Sequence, residues 1–375
     1  MQVLEHAYVD IKGGKIADYG EQKTMREYFG PVEVHDLGDA AILPGLIDAH
    51  THMLLDFRQK NAASALTISY EEQMAIAEKN LLDDLRCGIT SARYLGDKNY
   101  IDITMRDRIR TGKAAGPKAV VCGLGMKTPE GGSMVGESCD TPESFAKTSL
   151  ANVEKGADFL KIFMTGTLLP EREEDPVPYD MSPEEVRTVT NVGQKHGLLT
   201  AVHCIGGEGL DICAENGVAV IEHVYGATDK NIEMMIKHGC RVCLTAGVFL
   251  DEERERNLPL LRREKGKKLR ERIVRSMEKV IYSGIPLAVG TDAMHCGLAR
   301  EVRYVSELGA GNRRALMAAT IDAAKLCGTA EKTGSIEKDK DADLIVTAEN
   351  PMENIRALEH IRMVIQNGRR IGNET

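Results

Sequence analysis

Through the middle of the chain a short apolar run is followed, again and again, by a longer stretch whose apolar residues recur at helical spacing. Apolar runs fall at 42–48, 89–94, 119–123, 159–164, 199–203, 219–223, 241–245 and 286–290, and each reads as a strand. Between them, 70–86, 142–155, 183–196, 230–238 and 268–282 read as amphipathic helices. Glycines at 88, 156, 197, 239 and 284 mark helix ends, and Ser182-Pro183 marks a start with a serine cap and proline in the first turn. Eight strand–helix repeats imply a parallel sheet, and eight is the number that closes a (β/α)8 TIM barrel. An open doubly wound sheet is the alternative, but no glycine-rich phosphate loop follows the first strand. An α/β barrel is therefore expected, with its chemistry at the C-terminal ends of the strands.

The two chain ends read differently. Ala7 to Lys12 alternates, Gly13-Gly14 turns, and Lys15 to Tyr19 returns, which is a hairpin pattern. Runs at 342–347 and 361–366, the latter followed by Asn367-Gly368, also read as strands with turns. We expect residues 1–42 and 331–375 to build one small β domain, a sandwich formed by both chain ends, and 43–330 to form the barrel.

The 375 residues carry a net charge of −9, are 42% hydrophobic and 28% charged, and contain no run long enough to span a membrane. The acidic balance and the lack of a basic block interleaved with aromatics argue against nucleic acid. The mixed cluster Arg262-Arg263-Glu264-Lys265 reads as a solvated helix face. Nine cysteines without a disulfide-like spacing suit a reducing cytoplasm, and Cys240-x-x-Cys243 reads as strand packing. No signal-peptide core opens the sequence. A cytoplasmic homo-oligomer is expected, with no membrane partner.

Strand ends carry the candidate chemistry. The first ends in His50-Thr51-His52, two imidazoles at i and i+2 that suit a zinc-type ion. Lys161 sits within the fourth, His203 and His223 end the fifth and sixth, and Asp292 ends the eighth. Each has a plain reading: a hydrogen-bonded core histidine, a lysine paired with an acid, an aspartate capping a helix. Four histidines, one lysine and one aspartate at five strand ends on one barrel face are not explained that way. His295, three residues past Asp292, falls at the rim, where it either contacts substrate or is simply exposed. In an apolar strand Lys161 should have a lowered pKa, which makes its amine nucleophilic enough to add CO2 and become a carbamate. The segment 168–179, rich in Glu and Pro, is either a lid or a plain surface loop.

The runs Pro44-Gly-Leu-Ile-Asp-Ala-His-Thr-His52, Phe159-Leu-Lys-Ile-Phe163, Ala201-Val-His203, Ile221-Glu-His223 and Gly290-Thr-Asp-Ala293 resemble the amidohydrolase superfamily of metal-dependent hydrolases. The tail Gly334-Ser-Ile-Glu-Lys-Asp-Lys-Asp-Ala-Asp-Leu-Ile-Val346 resembles that family's return into its small β domain. The resemblance covers nearly the whole chain. It implies that His50, His52 and Asp292 hold one divalent metal, His203 and His223 a second, and carboxylated Lys161 bridges them. A hydroxide between the metals would be the nucleophile, with Asp292 taking and returning the proton. Zinc is the expected metal, since nitrogen and carboxylate ligands suit it.

Within the superfamily, Lys161 and Thr291-Asp-Ala-Met-His295 are similar to the branch of prolidase-like and Xaa-Arg dipeptidases that also contains phenylurea hydrolases. Tyr225 matches a position that there contacts the scissile carbonyl. The chain starts inside what is usually the second strand of the small domain, so an N-terminal piece is missing or shortened. A Gly-Gly-His turn that reads a peptide carboxylate is expected after the third strand, but Gly131-Gly-Ser-Met134 stands there. Small neutral or aromatic amides, ureas and carbamates are therefore expected ahead of simple dipeptides. Alternatives are a Xaa-Arg or Xaa-Pro type dipeptidase or carboxypeptidase, a lactone or ester hydrolase, and a non-catalytic scaffold of the same fold.

Overall fold

The computed structural model describes residues 3–25 and 32–372. Eight parallel strands form the barrel: β1 (Leu46–Thr51), β2 (Ile89–Tyr94), β3 (Lys118–Val121), β4 (Leu160–Phe163), β5 (Thr200–Gly206), β6 (Val220–Gly226), β7 (Arg241–Leu244) and β8 (Leu287–Val289). Ladders join β1 to β3 and β4 to β8, in chain order. Two seams lack regular ladders and are closed otherwise. At the first, Asp158 N donates to Val121 O at 2.7 Å, and the Asp158 carboxylate accepts from Val121 N at 3.0 Å. At the second, Asp292 N donates to His50 O at 2.8 Å, and Asp48 accepts from Thr291 N and Oγ1 at 3.1 and 2.6 Å. Gly290 is required at this seam: a Cβ there would lie 2.4 Å from His50 N.

Helices follow the strands on the outside, several with the caps their sequences announce. Ser69, Thr141, Ser182 and Thr228 each form a reciprocal capping box. Nearly every residue of the eight strands is buried, as expected of strands covered on both faces. The barrel interior below the site is filled by small and medium side chains, among them Ile47, Ala49, Ala201, Val220, Cys243 and Ala288.

The apolar run 42–48 is two elements, not one. Ala41–Pro44 belongs to a four-stranded antiparallel sheet with Leu344–Thr347, Ile361–Gln366 and Arg369–Arg370, and β1 starts after a single residue, Gly45. A Cβ on Gly45 would meet Thr90 Oγ1 at 2.2 Å, so the chain changes sheets where only glycine fits. The N-terminal hairpin Ala7–Lys12/Lys15–Glu21 forms as the alternation predicts and is bridged to the C-terminal segment through Lys15 and Asp341.

Three further expectations change. The helix expected over 268–282 runs from Leu260 to Ser283; its buried face begins only at Leu269, so its first two turns lack an apolar stripe. The cysteines, whose spacing announces no disulfide, include one pair, Cys87 and Cys296, joined as a disulfide across 209 residues. No local spacing signals that pair, and with it goes the thiol argument for a reducing compartment. Cys240 and Cys243 are free and buried, in keeping with strand packing. The segment after β4 is fastened: Leu169 and Val177 are buried, and Arg272 of the long helix donates to Pro170 O at 3.2 Å. Among the described residues no helix is long and apolar enough to cross a membrane.

Candidate metal centre and active site

At the C-terminal ends of the strands, His50, His52 and Asp292 place one ligand atom each within 4.8 Å of one another. Nε2 of His50 and of His52 lie 3.4 and 3.6 Å from Asp292 Oδ1. The His223 ring stands 4.7 Å from that of His50 and 4.5 Å from that of His203. Each imidazole has one nitrogen tied back to the protein. His50 Nδ1 meets Glu222 Oε2 at 2.8 Å, His52 Nδ1 meets Gly96 O at 2.7 Å, and His223 Nδ1 meets Thr245 Oγ1 at 2.7 Å. His203 uses Nε2, 3.1 Å from Gly166 O. Such outer bonds fix ring orientation and leave the other nitrogen's lone pair for a cation. Burial, the largest cause in each case, lowers the pKa of His52 to about 4 and of His203 to about 3. Both are neutral, as a metal ligand must be.

Lys161 is fully buried, and its Nζ has no hydrogen-bond partner. It lies 4.9 Å from the Phe163 ring centroid. Burial brings its pKa down to about 8, the charge of Glu222 opposing the fall. An orphaned buried amine is costly, and its conversion to an anion beside cations removes that cost. The donor set thus fits a pair of divalent metals: four imidazoles converging on one carboxylate, and a buried amine without a partner.

Asp292 is the charged hub. Burial alone would raise its pKa, but the His50 hydrogen bond and the Arg254 charge hold it well below the ordinary carboxylate range. Arg254, from the short helix Glu252–Asn257, reaches Asp292 Oδ2 at 3.2 Å and its carbonyl oxygen at 2.7 Å. Backbone geometry aims these groups. His223 (φ 78°), Val224 (52°), Asp292 (49°) and Ala293 (66°) all occupy the left-handed region, which costs about 1–3 kcal/mol per residue and collects at functional sites.

Three contributors went unseen in the sequence. Glu222, next to His223, bonds His50 on one side and Arg93 Nη2 on the other, at 2.5 Å. Burial works against its charge, yet Arg93 and His50 bring its pKa down to about 2. Strict alternation sends Glu222 and His223 to opposite faces; the left-handed turn at His223 lets both serve the site. Arg93 and Arg254 gave no signal beyond a lone arginine in or after a strand. A second group within ligand distance, His50, Glu222 and Cys243, is no metal site, because Arg93 already neutralises Glu222 and burial pushes the Cys243 thiol well up.

Tyr225 lies at the site, its hydroxyl 2.5 Å from Thr245 Oγ1 and 3.1 Å from the Thr245 carbonyl oxygen. One sequence expectation is corrected. His295 is neither at the rim nor able to contact substrate. It is 1% exposed, with Nδ1 2.8 Å from Asp84 Oδ2 and Nε2 2.9 Å from Leu55 O. Both partners accept, so both nitrogens must carry protons. Burial alone would lower the pKa of His295, but the Asp84 carboxylate raises it above the ordinary imidazole value. Its contribution to stability is therefore complete below about pH 6.5 and is lost as pH rises through the raised folded value. His295→Gln should destabilise the protein by about 3 kcal/mol, the scale for breaking a buried pair. Melting curves across pH check this: the gap to the parent should be widest in acid and narrow in alkali, and a gap independent of pH would contradict the ion pair.

A wider cavity of about 690 Å³ opens at the other end of the barrel, between Arg241, Pro286 and Lys325, and none of the candidate ligands lines it.

The sequence profile described as "Amidohydrolase family" matches residues 41–371. Ochratoxinase of Aspergillus niger is 24% identical over 356 residues, covering 86% of this chain and 73% of that one. Imidazolonepropionase of Brevibacillus brevis is 22% identical over 413 residues, covering 98% and 90%. Among solved structures, a Xaa-Pro dipeptidase with methionine bound in its active site superposes with a TM-score of 0.82 and 28% identity, over 98% of this chain and 95% of that one.

Proposed function

The chain belongs to the amidohydrolase family, and from that premise we propose that it hydrolyses an amide-type C–N bond in a small molecule with two divalent cations, preferentially zinc, held by six side chains. The observation that carries this reading is Lys161: a buried amine without a partner, among four imidazoles each oriented by an outer hydrogen bond and one ionised aspartate. His50, His52 and Asp292 would hold one cation, His203 and His223 the other, and Lys161 as its carbamate both. Cations there would lower the pKa of a water molecule toward neutrality and polarise the scissile carbonyl.

The chain's own residues do the rest. Asp292, ionised, accepts the proton from the attacking water and passes it to the departing nitrogen. Arg254 fixes the carboxylate so that one oxygen faces the histidines while the other is occupied. Glu222 and Arg93 hold His50 in its tautomer, and Thr245 orients His223.

Chelation followed by metal analysis is the test. Removing the metal should abolish hydrolysis of amides, ureas and carbamates while leaving far-UV circular dichroism unchanged, and zinc should restore turnover. Full activity in metal-free protein would end the reading. A peptide-type substrate is the second reading, favoured by the relative that binds methionine in its active site.

A further inference from the structure

Glu301, in the helix Leu298–Val305 that follows β8, is a buried carboxylate with no part in the chemistry described so far. Among the described residues no cation lies within ion-pair distance of it, and its neighbour in sequence, Arg300, is taken by Asp251 and Glu253. Its two oxygens instead accept from consecutive backbone N–H groups just past β7: Oε1 from Ala246, and Oε2 from Gly247 at 2.7 Å. Burial pushes its pKa up to about 8 against those two bonds, so an acid stands where an uncharged residue would cost less to bury. Gly247 is part of the fit, since a Cβ there would lie 2.7 Å from Glu301 Oε2.

The peptide held through Ala246 N is the one that joins Thr245 to Ala246, and its other end faces the metal centre. Tyr225 donates its hydroxyl to the Thr245 carbonyl oxygen at 3.1 Å. Thr245 Oγ1 stands 2.5 Å from the Tyr225 oxygen and 2.7 Å from His223 Nδ1. One proton arrangement makes all three bonds: Tyr225 donates to the carbonyl, Thr245 donates to Tyr225, and His223 donates from Nδ1 to Thr245. The lone pair of His223 then lies on Nε2. A peptide unit is planar and rigid, so fixing its N–H also fixes its carbonyl and the Cα from which the Thr245 side chain projects. A hydrogen bond at the N–H further polarises the carbonyl and makes it a better acceptor for Tyr225.

We propose that Glu301 is a positioning residue for the metal centre: by holding the Thr245–Ala246 peptide it keeps Thr245 as the acceptor that fixes His223 in its Nδ1-protonated tautomer, with Nε2 left for a cation. The inference deepens the hydrolase reading and rests on it for the cation. Glu301 acts through Thr245 and takes no part in proton transfer.

The test pairs ¹⁵N-histidine NMR of metal-free protein with zinc titration of the same preparations, for the parent, Glu301→Gln, Thr245→Val and the double variant. Glutamine keeps the shape but turns an NH2 group toward one of the two N–H donors. In the parent, His223 should show a single tautomer protonated at Nδ1, assigned by its loss in His223→Gln. Glu301→Gln should show both tautomers and weaken one of two zinc equivalents about tenfold, the low end for groups that orient a ligand. Thr245→Val should weaken the same equivalent by about tenfold to a hundredfold. The double variant should bind no more weakly than Thr245→Val alone, since the one residue acts through the other. Gly247→Ala, which displaces the carboxylate without changing its charge, should repeat Glu301→Gln and replaces it if that variant does not fold. A parent His223 protonated at Nε2, or an unchanged tautomer and zinc affinity in Glu301→Gln, overturns the proposal. So does an equal loss of both zinc equivalents with a lower Tm and an unaltered tautomer, which would make Glu301 a cap on the short helix Gly247–Leu250. Additive losses in the double variant overturn it too. A parent that binds no zinc ends the hydrolase reading alone, and the tautomer comparison in metal-free protein still decides the role of Glu301.

Discussion

Asp292→Asn is expected to lower kcat by about 10²–10⁴-fold, the range of a positioned general acid–base, while most of the bound metal remains. Asparagine keeps the shape and one oxygen toward His50 and His52, so the coordination sphere is changed less than the proton path. Arg254 loses its ionic partner at Oδ2 but keeps the carbonyl oxygens of Thr291 and Asp292, which hold the loop in place. Steady-state kinetics with metal analysis on the same preparation separate the two effects. A variant with parental turnover would remove Asp292 from proton transfer, and one empty of metal would make it chiefly a ligand.

Lys161→Ala carries the other large effect. Truncation leaves His203 and His223 without a bridging anion, so bound metal should fall toward half and hydrolysis should become undetectable. Lys161→Glu, shorter but anionic, should keep more metal than alanine does. The chemistry also predicts a dependence on CO2. Apo-protein supplied with zinc in bicarbonate should regain activity faster than in CO2-free buffer, and ¹³C-bicarbonate should give a carbamate carbon resonance absent from Lys161→Ala. The pKa of about 8 is what makes the reaction reasonable at neutral pH, since an appreciable fraction of the amine is uncharged. Active, fully metallated protein with an unmodified lysine would return Lys161 to the role of a barrel residue.

What the sequence made legible follows from what repeats. Strand positions were readable because parallel strands buried on both faces are continuous apolar runs, and one helix start because Ser182 caps it with Pro183 in the first turn. The candidate ligands could be picked out because His50, His52, His203, His223 and Asp292 fall at or near the ends of apolar runs and Lys161 interrupts one. What stayed hidden depends on side-chain direction and on distant partners. Glu222 was overlooked because alternation assigns one of two adjacent residues to the site, and a single left-handed residue undoes that rule. His295 was misplaced because its acceptors, Asp84 and Leu55, lie 211 and 240 residues away. The start of the long helix at Leu260 was missed because its buried stripe begins only at Leu269.

Gly45 has a consequence beyond fit. With a single residue between Ala41–Pro44 and β1, the terminal sheet and the histidine-bearing strand share one stretch of backbone and have no linker to act as a hinge. Pulling Ala41–Pro44 away from Leu344–Thr347 tugs directly on the strand that presents His50 and His52. The two layers are thereby mechanically in series. Melting of the terminal sheet and loosening of the strand that carries His50 and His52 are therefore expected to occur together, in one thermal transition.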